Sequence, residues 1–573
     1  MPHTFETPFR RRLQGFDPRT VPVFRFDVVV VGGGAAGSAA ALAAAAEGAS
    51  VALLVKRDVQ TSNTSYAKGG MATVLASDDS FALHAADTLR VACGLGHPDV
   101  VDLVVRGGPE AVQRLEALGG AYDRRPDGTL ELLREGGHSR ARIFHAGDAT
   151  GIVMQKSLAR AVEEHPSITV FPGHFVTDVL SDGDGVEGVL ALRNSGNQAG
   201  ERTSASIPRV AFGASRVILA SGGAGQLYRE TTNPELATGD GVALGFRAGA
   251  PVRDMEFFQF HPTCLYIAGA ARVLISEIVR GHGGLLVDKN GERFMPAAHP
   301  DAELAPRDVV SRACFERMVA TEDTSVYLDL SQVAGDPHRL FPVVAETCAL
   351  FGIDIARDPV PVRPGAHYMV GGIAVDTWGQ TGVPGLLAVG ECASTGLHGA
   401  NRMGSNSLLE ALVLGHRAGL AAAHSTTPQK GALSASGPDL DQGPPPNVDI
   451  NLEDVTYSLK SLMWRQLGIE RERVAMVDAV EKIDLWTRAI QDLTVPRPRA
   501  LELLNMLTVA RLVATGALAR EESRGVHFRS DFPAASDAWR CNTVQTPTGD
   551  AERVTGVELE RAEIPDAAAL HHE

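Results

Sequence analysis

The sequence predicts an α/β protein with an inserted second domain and a helical C-terminal domain. Three observations carry this. Four consecutive valines, Val28–Val31, run into Gly32-x-Gly34-x-x-Gly37 and then into alanine-rich sequence. Two further apolar runs, in 216–225 and 385–391, also end in glycines. Residues 255–367 lose that texture and become richer in His, Arg and Pro, while residues 451–525 carry helical apolar spacing.

Taken in order, the opening unit is a strand, a glycine turn and a helix over 39–46, the Rossmann-like context in which GxGxxG carries weight. The first glycine allows the tight turn, the second lets backbone approach a pyrophosphate, and the third lets helix and strand pack. Alone, the motif fits a tight turn in any α/β protein. The second strand, 50–55, ends at Lys56, where an acid ordinarily holds the ribose hydroxyls, which argues against a plain NAD site. Residues 61–70, TSNTSYAKGG, are too polar for a core element and read as a second loop over a bound cofactor.

Residues 1–22 read as a tail. Helical spacing marks 82–93 and 99–118, and 134–142 is a polar loop dense in Glu, His and Arg. A helix is predicted over 150–164, a strand over 168–171, and a hairpin over 176–193 turning at 181–185. The strand from Arg216 running into glycines repeats the opening theme, which suits a large dinucleotide approached from two sides. The expected divisions are a first domain at 22–254 resuming at 368–424, an insertion at 255–367, a Ser/Gly/Pro-rich linker at 425–447 and a helical domain at 448–535, with a helix over 499–522. The stretch after about Pro533 carries no clear signal.

Composition sets bounds. A chain of 573 residues holds more than one domain. Its 44% hydrophobic and 21% charged content is that of an ordinary globular protein. A formal charge of −16 disfavours nucleic acid and anionic membranes as partners. The six cysteines show no CxxC and no paired spacing, which argues against iron–sulfur or zinc-ribbon sites and for a reducing compartment. Residues 28–46 are too rich in Gly and Ala for a membrane span, and Arg10–Arg12 lead into no apolar signal core. A cytoplasmic protein without a metal site is expected.

Four clusters carry chemistry: Glu135 to Arg142; His261 and Thr263 with Arg280; Arg307 in APRD; and His367 with Arg402 in HGANR. An arginine fork binds a carboxylate bidentately and a histidine adds a donor. Two of each suit a small dicarboxylate. Taken singly, each is ordinarily a surface ion pair or a satisfied buried group.

Together, FDVVVVGGGAAG, SYAKGGMATV, ASGGAGQLY, TNPELATGDG, EFFQFHPT, NGERFM, ELAPRDVVSRA, HYMVGGI and LLAVGECASTGLHGANRMGSNSLLEALVLG resemble the flavoprotein family of succinate dehydrogenase, fumarate reductase and L-aspartate oxidase, from about Phe26 to Pro533. Three places resemble its oxidase branch: the REGGHS loop, Asn63 where the dehydrogenases carry a tethering histidine, and the endings LMWR and SRGVHFRSDF. His282 departs from the pattern, which usually has Glu there, and leaves the charge near the cap hinge open.

The resemblance implies a Rossmann-like FAD-binding domain, an α+β capping insertion and noncovalent FAD. It places the cofactor on Gly32, Gly34, Ala35, Ala36, Gly37, Lys56, Asn63, Gly69, Gly70, Val176, Ser221, Gly222 and Asp240, with Glu391 on the ribose and Ser405, Asn406, Ser407 and Leu408 near the isoalloxazine. It gives the two substrate carboxylates to His261, Thr263, His367 and Arg402, and the ammonium to Glu135. Arg307, with His261 and His367, forms the implied catalytic set.

The implied reaction is oxidation of aspartate to iminoaspartate. Oxygen, giving hydrogen peroxide, or fumarate, giving succinate, takes the electrons. This would be the first step of de novo NAD biosynthesis through quinolinate, with product handed to quinolinate synthase and no nucleic-acid or membrane partner. Two alternatives stand. One is a soluble fumarate reductase. The other is a subunit docked on an iron–sulfur protein and a membrane anchor, which the missing tethering histidine opposes.

Overall fold

The valine run lies at the centre of a five-stranded parallel sheet, ordered Leu386–Ala388, Arg216–Leu219, Val28–Val31, Val51–Val55, Ile168–Pro172. Every residue of Val28–Val31 and Val51–Val55 is buried, as unbroken apolar strands covered on both faces should be. The chain fills one side of the valine strand and later returns to fill the other. That reversal opens a crevice at the carboxyl ends of the strands. The computed structural model describes residues 2–182, 184–193, 207–270, 272–424, 433–434, 450–493 and 497–565.

The first helix, Ala35–Ala46, starts inside the glycine motif, earlier than the alanine run alone predicts. It packs closely on Asn406–Ala423. A Cβ on Gly415 would lie 2.5 Å from the Ala36 carbonyl oxygen, and one on Gly419 would lie 2.3 Å from that of Ala40. The helix expected over 99–118 is two, Pro98–Arg106 and Gly108–Ala117. The break falls at Gly107-Gly108-Pro109, where proline removes a backbone donor. The helix Thr150–Glu164 and the hairpin His174–Ser181/Val186–Arg193 form where expected, and the hairpin joins Val23–Arg25 and Arg209–Gly213 in a four-stranded sheet.

The insertion holds its own sheet, ordered Val273–Leu274, Phe258–Leu265, Val360–Met369, Val326–Asp329, Leu285–Val287. Its core includes Leu286, Val310, Val326, Leu328 and Val360. The strands Phe258–Leu265 and Val360–Met369 begin and end the insertion and pair antiparallel. One carries His261 and the other His367.

The C-terminal helices are Leu452–Gln466, Arg473–Leu493 and Pro498–Ala519. The last is long and apolar enough to cross a membrane, yet 94% of its apolar window is buried inside the fold, where the helix packs on Asp240–Arg247. The expected linker 425–447 lies outside the described residues except 433–434. There Leu433 is buried, and Ser434 donates its N–H and hydroxyl to Glu187.

The two ends depart from expectation. Pro2–Arg10, read as part of a tail, is a strand that pairs antiparallel with Arg553–Ala562. That strand pairs with Asn542–Gly549, and through Val252–Arg253 the six-stranded sheet reaches Gly372–Ala374 and Ala393–Ser394. Phe5 and Phe9 anchor the first strand, each almost wholly buried. Only two of the strand's nine residues are large and apolar, and their partners lie at the other end of the chain, so no local pattern marks them.

Candidate active site

The crevice is a cavity of about 1450 Å³ counting its solvent-connected space. Gly32, Gly34, Ala35, Ala36, Lys56, Asn63, Val176, Ser221, Gly222, Asp240, Glu391, Ser407 and Leu408 line it. Gly32 has φ +113°, and a Cβ there would sit 2.3 Å from the Ala220 carbonyl oxygen, so the turn admits only glycine.

Five expected cofactor residues stand off the cavity wall. Gly37 packs behind it, where a Cβ would meet the Gly32 carbonyl oxygen at 1.9 Å. A Cβ on Gly70 would meet the Phe144 carbonyl oxygen at 2.1 Å, and one on Gly69 would meet Glu135 Oε1 at 2.9 Å. The Asn406 side chain turns away: Oδ1 pairs with His84 Nε2 at 2.9 Å and Nδ2 donates to Thr88 Oγ1 at 3.0 Å. Ser405 directs its hydroxyl to Glu135 Oε2 at 2.7 Å from a left-handed backbone, φ +63°. Such backbone in a non-glycine residue is held by its surroundings and recurs at ligand clamps.

Lys56 departs from the usual acid for a visible reason. Its ammonium donates to Asp240 Oδ2 at 2.9 Å, to Thr238 Oγ1 at 3.1 Å and to Glu502. The acids come here from a helix N-terminus and from the C-terminal helix, and the lysine between them supplies the compensating charge.

Glu391 accepts from Asn63 Nδ2 at 2.9 Å and from the Met369 N–H at 3.0 Å. Burial pushes its carboxyl up, against the two donors. Asn63 Oδ1 and Asn233 Oδ1, from two residues that line the cavity, are buried without a partner in the protein. A neutral, glycine-floored crevice with unpaired acceptors at its wall fits a bound dinucleotide with hydroxyl and amide donors. An amide at Asn63 offers no imidazole for a covalent tether.

At the inner end, His367 and Arg402 face the cavity, and His261, Arg307 and Glu135 stand behind them. The His261 and His367 rings are 5.2 Å apart, centroid to centroid. Arg402 donates to Ser407 Oγ at 2.5 Å and lies over the Tyr368 ring at 4.8 Å. Arg307 donates to Glu277 Oε2 at 2.8 Å and to Gln259 Oε1 at 3.2 Å. Gln259 Oε1 also accepts from Arg402 at 3.4 Å, and its amide nitrogen donates to Asn401 Oδ1 and the Arg402 carbonyl. One buried amide thus spaces the two guanidinium groups.

Gln259 and Glu277 join the site without being among the residues expected from sequence. Gln259 had a signal, since it stands two residues before His261 and so on the same strand face. Glu277 stands three residues before Arg280, which faces it at 3.8 Å.

Thr263, expected on a carboxylate, donates its hydroxyl to the Ile275 carbonyl at 2.9 Å and directs its N–H to His261 Nδ1 at 3.3 Å. It supports the histidine from behind. Glu135 does not pair with the arginines of its own loop. Arg142 is committed to Asp79 and Asp87, and Arg140 to the carbonyls of Asp78 and Ser139.

Burial, then the Arg307 and Arg402 charges, holds His367 well below its ordinary pKa; burial, then Arg307 and His367, does so for His261. Burial and Arg307 bring Arg402 down to about 10, still charged at neutral pH. Glu277 resists its burial because Arg307 and Arg280 hold it at about 2. Glu135 is raised by burial and by Glu277, against Arg307 and Ser405.

A family profile described as FAD binding domain matches residues 27–408, and one described as fumarate reductase flavoprotein C-term matches 456–567. The L-aspartate oxidase of Mycobacterium tuberculosis is 42% identical over 542 residues, 92% of this chain and 96% of that protein. That of Bacillus subtilis is 39% identical over 499 residues, 86% of this chain and 88% of that protein. Among solved structures, a variant of E. coli quinol fumarate reductase FrdA superposes with TM-score 0.85 at 33% identity, covering 95% of this chain and 97% of that one. Mycobacterium smegmatis Sdh1 superposes with TM-score 0.81 at 31% identity, covering 95% of each.

Proposed function

The chain belongs to the L-aspartate oxidases of the succinate dehydrogenase and fumarate reductase flavoprotein family, and from that premise we propose that it oxidises L-aspartate to iminoaspartate. The observation that carries the reading is the buried carboxyl of Glu135 near Arg307 and Arg402, the same two arginines that act on the paired rings of His261 and His367 beside an FAD cavity. Two cationic forks and two N–H donors match two carboxylates, and one unpaired acid matches one ammonium.

FAD, held by the glycine turn, Asn63, Ser221, Gly222 and Glu391, supplies the hydride acceptor when bound. The remaining work is done by side chains. Arg402, set by Ser407 and Gln259, orients one carboxylate. His261 and His367 stay neutral and donate to the substrate without adding charge. Arg307, anchored by Glu277, completes the clamp and, with fumarate as acceptor, offers the proton that carbon takes up. Glu135, tied to Ser405, accepts from the α-ammonium. Fixing the α-carbon between these groups uses binding energy for orientation.

In this reading residues 255–367 cap the site, 22–254 and 368–424 bind FAD, and 448–535 form the helical domain. Oxygen or fumarate takes the electrons, and the unstable imine passes to quinolinate synthase in the cytoplasm, without a membrane partner. Six unpaired cysteines and a net charge of −16 support that setting. The test is oxygen uptake by the FAD-loaded protein. Uptake with L-aspartate and none with succinate is expected. Activity with succinate alone would favour a dicarboxylate dehydrogenase instead.

A further inference from the structure

We infer that Thr232 is a positioning residue that fixes the tautomer of His367, so that this histidine presents Nε2–H to the substrate. The proposal rests on the dicarboxylate reading of the site and adds to it the state of one proton.

The segment around Thr231–Asn233 lies against the strand Val360–Met369. The Ala366 carbonyl accepts the Thr232 N–H at 3.1 Å and the Thr231 hydroxyl at 3.0 Å. Those two bonds fill its two lone pairs. The Thr232 hydroxyl lies 3.5 Å from the same carbonyl but only 2.9 Å from His367 Nδ1. Its proton therefore goes to the ring nitrogen. Nδ1 accepts, and the one proton of a neutral imidazole is left on Nε2. Asn233 Nδ2 donates to the His367 carbonyl at 2.9 Å and fixes the backbone that carries the ring.

His261 reaches the same state by a different route. Its Nδ1 faces the backbone N–H of Thr263 at 3.3 Å, while the Thr263 hydroxyl proton is given to the Ile275 carbonyl at 2.9 Å. A backbone N–H can only donate, so His261 also keeps its proton on Nε2. Either ring in the opposite tautomer would turn a lone pair toward a carboxylate. The His261 arrangement is built into the main chain. That of His367 hangs on one hydroxyl, which makes Thr232 the point at which it can be undone.

The experiment is nitrogen NMR of the FAD-loaded protein labelled with ¹⁵N-histidine, with His367 identified by its absence in His367→Gln. The wild type should show Nε2 protonated and Nδ1 bare. Thr232→Val should populate Nδ1–H, and Thr232→Ser should restore the wild-type pattern. Succinate binding, followed by flavin absorbance, should weaken roughly five- to tenfold in Thr232→Val, the size of one neutral hydrogen bond. It should recover in Thr232→Ser with FAD content unchanged.

A wild-type proton on Nδ1, unweakened binding in Thr232→Val, or Thr232→Ser as weak as Thr232→Val would each overturn the inference. If Thr232→Val fails to fold, the wild-type and serine spectra decide. A wild type that binds no succinate would remove the dicarboxylate reading, and the nitrogen signals would still settle the tautomer.

Discussion

The two halves of the site are built by opposite means. The FAD cavity is shaped by backbone: a left-handed Gly32, a helix starting at Ala35 and strands that end in glycine. Its part-buried ammonium, Lys56, is neutralised within the protein by Asp240 and Glu502. The substrate end is shaped by side chains from segments that contain residues 135, 261, 307, 367 and 402. Its charges are only partly matched, since Glu135 is hydrogen-bonded by Ser405 and has no ion-pair partner within reach among the described residues. On the proposed reading the cofactor is recognised by form and the substrate by charge, so damage to one should spare the other.

The largest expected effect breaks the cofactor half alone. Gly32→Ala forces a left-handed backbone on a side chain that meets a carbonyl oxygen at 2.3 Å, at a cost of about 3 kcal/mol, the upper end for a single substitution. Purified protein should carry little flavin and melt early. Normal flavin content would show that the turn yields more easily than its geometry implies.

Next comes Arg307→Leu, which removes the proposed proton donor and leaves Glu277 with Arg280 alone. Fumarate reduction should fall about 10²- to 10³-fold with FAD still bound, and Arg307→Lys should keep a little. Near-normal turnover in Arg307→Leu would move the proton donor elsewhere. Arg402→Leu should raise KM for aspartate roughly 10- to 100-fold, the worth of a charged hydrogen bond of about 1.5–3 kcal/mol, with flavin content unchanged. An unaltered KM would take Arg402 out of the carboxylate clamp.

The same contrast explains what the sequence reveals. Val28–Gly37 is contiguous and its glycines answer to local geometry, so the cofactor half can be read from one stretch. The substrate half is read only jointly, because no spacing links His261 to Arg402. Gln259 and Glu277 escape notice because their roles depend on which arginines they meet. The contacts of Thr263 with His261 and the Ile275 carbonyl leave no trace in the sequence, because a hydroxyl near a site looks the same whatever it faces. The edge strand Pro2–Arg10 is illegible because its only neighbour among the described strands, Arg553–Ala562, lies at the other end of the chain.

The central claim is that one unpaired carboxylate separates aspartate from its deaminated analogues. Both share two carboxylates, so Arg402 and the histidines cannot tell them apart. Glu135→Gln keeps the shape and the Ser405 bond but removes the charge. Because the Glu135 pKa is raised, the carboxylate becomes protonated as pH falls through a value above that of an ordinary glutamate. Wild-type kcat/KM for aspartate should decline with it, and the variant should lack that limb. The decisive measurement is both reactions on one Glu135→Gln preparation. Aspartate oxidation should fall about 10- to 100-fold while fumarate reduction by chemically reduced flavin is largely kept; parallel loss of the two would contradict ammonium recognition by Glu135.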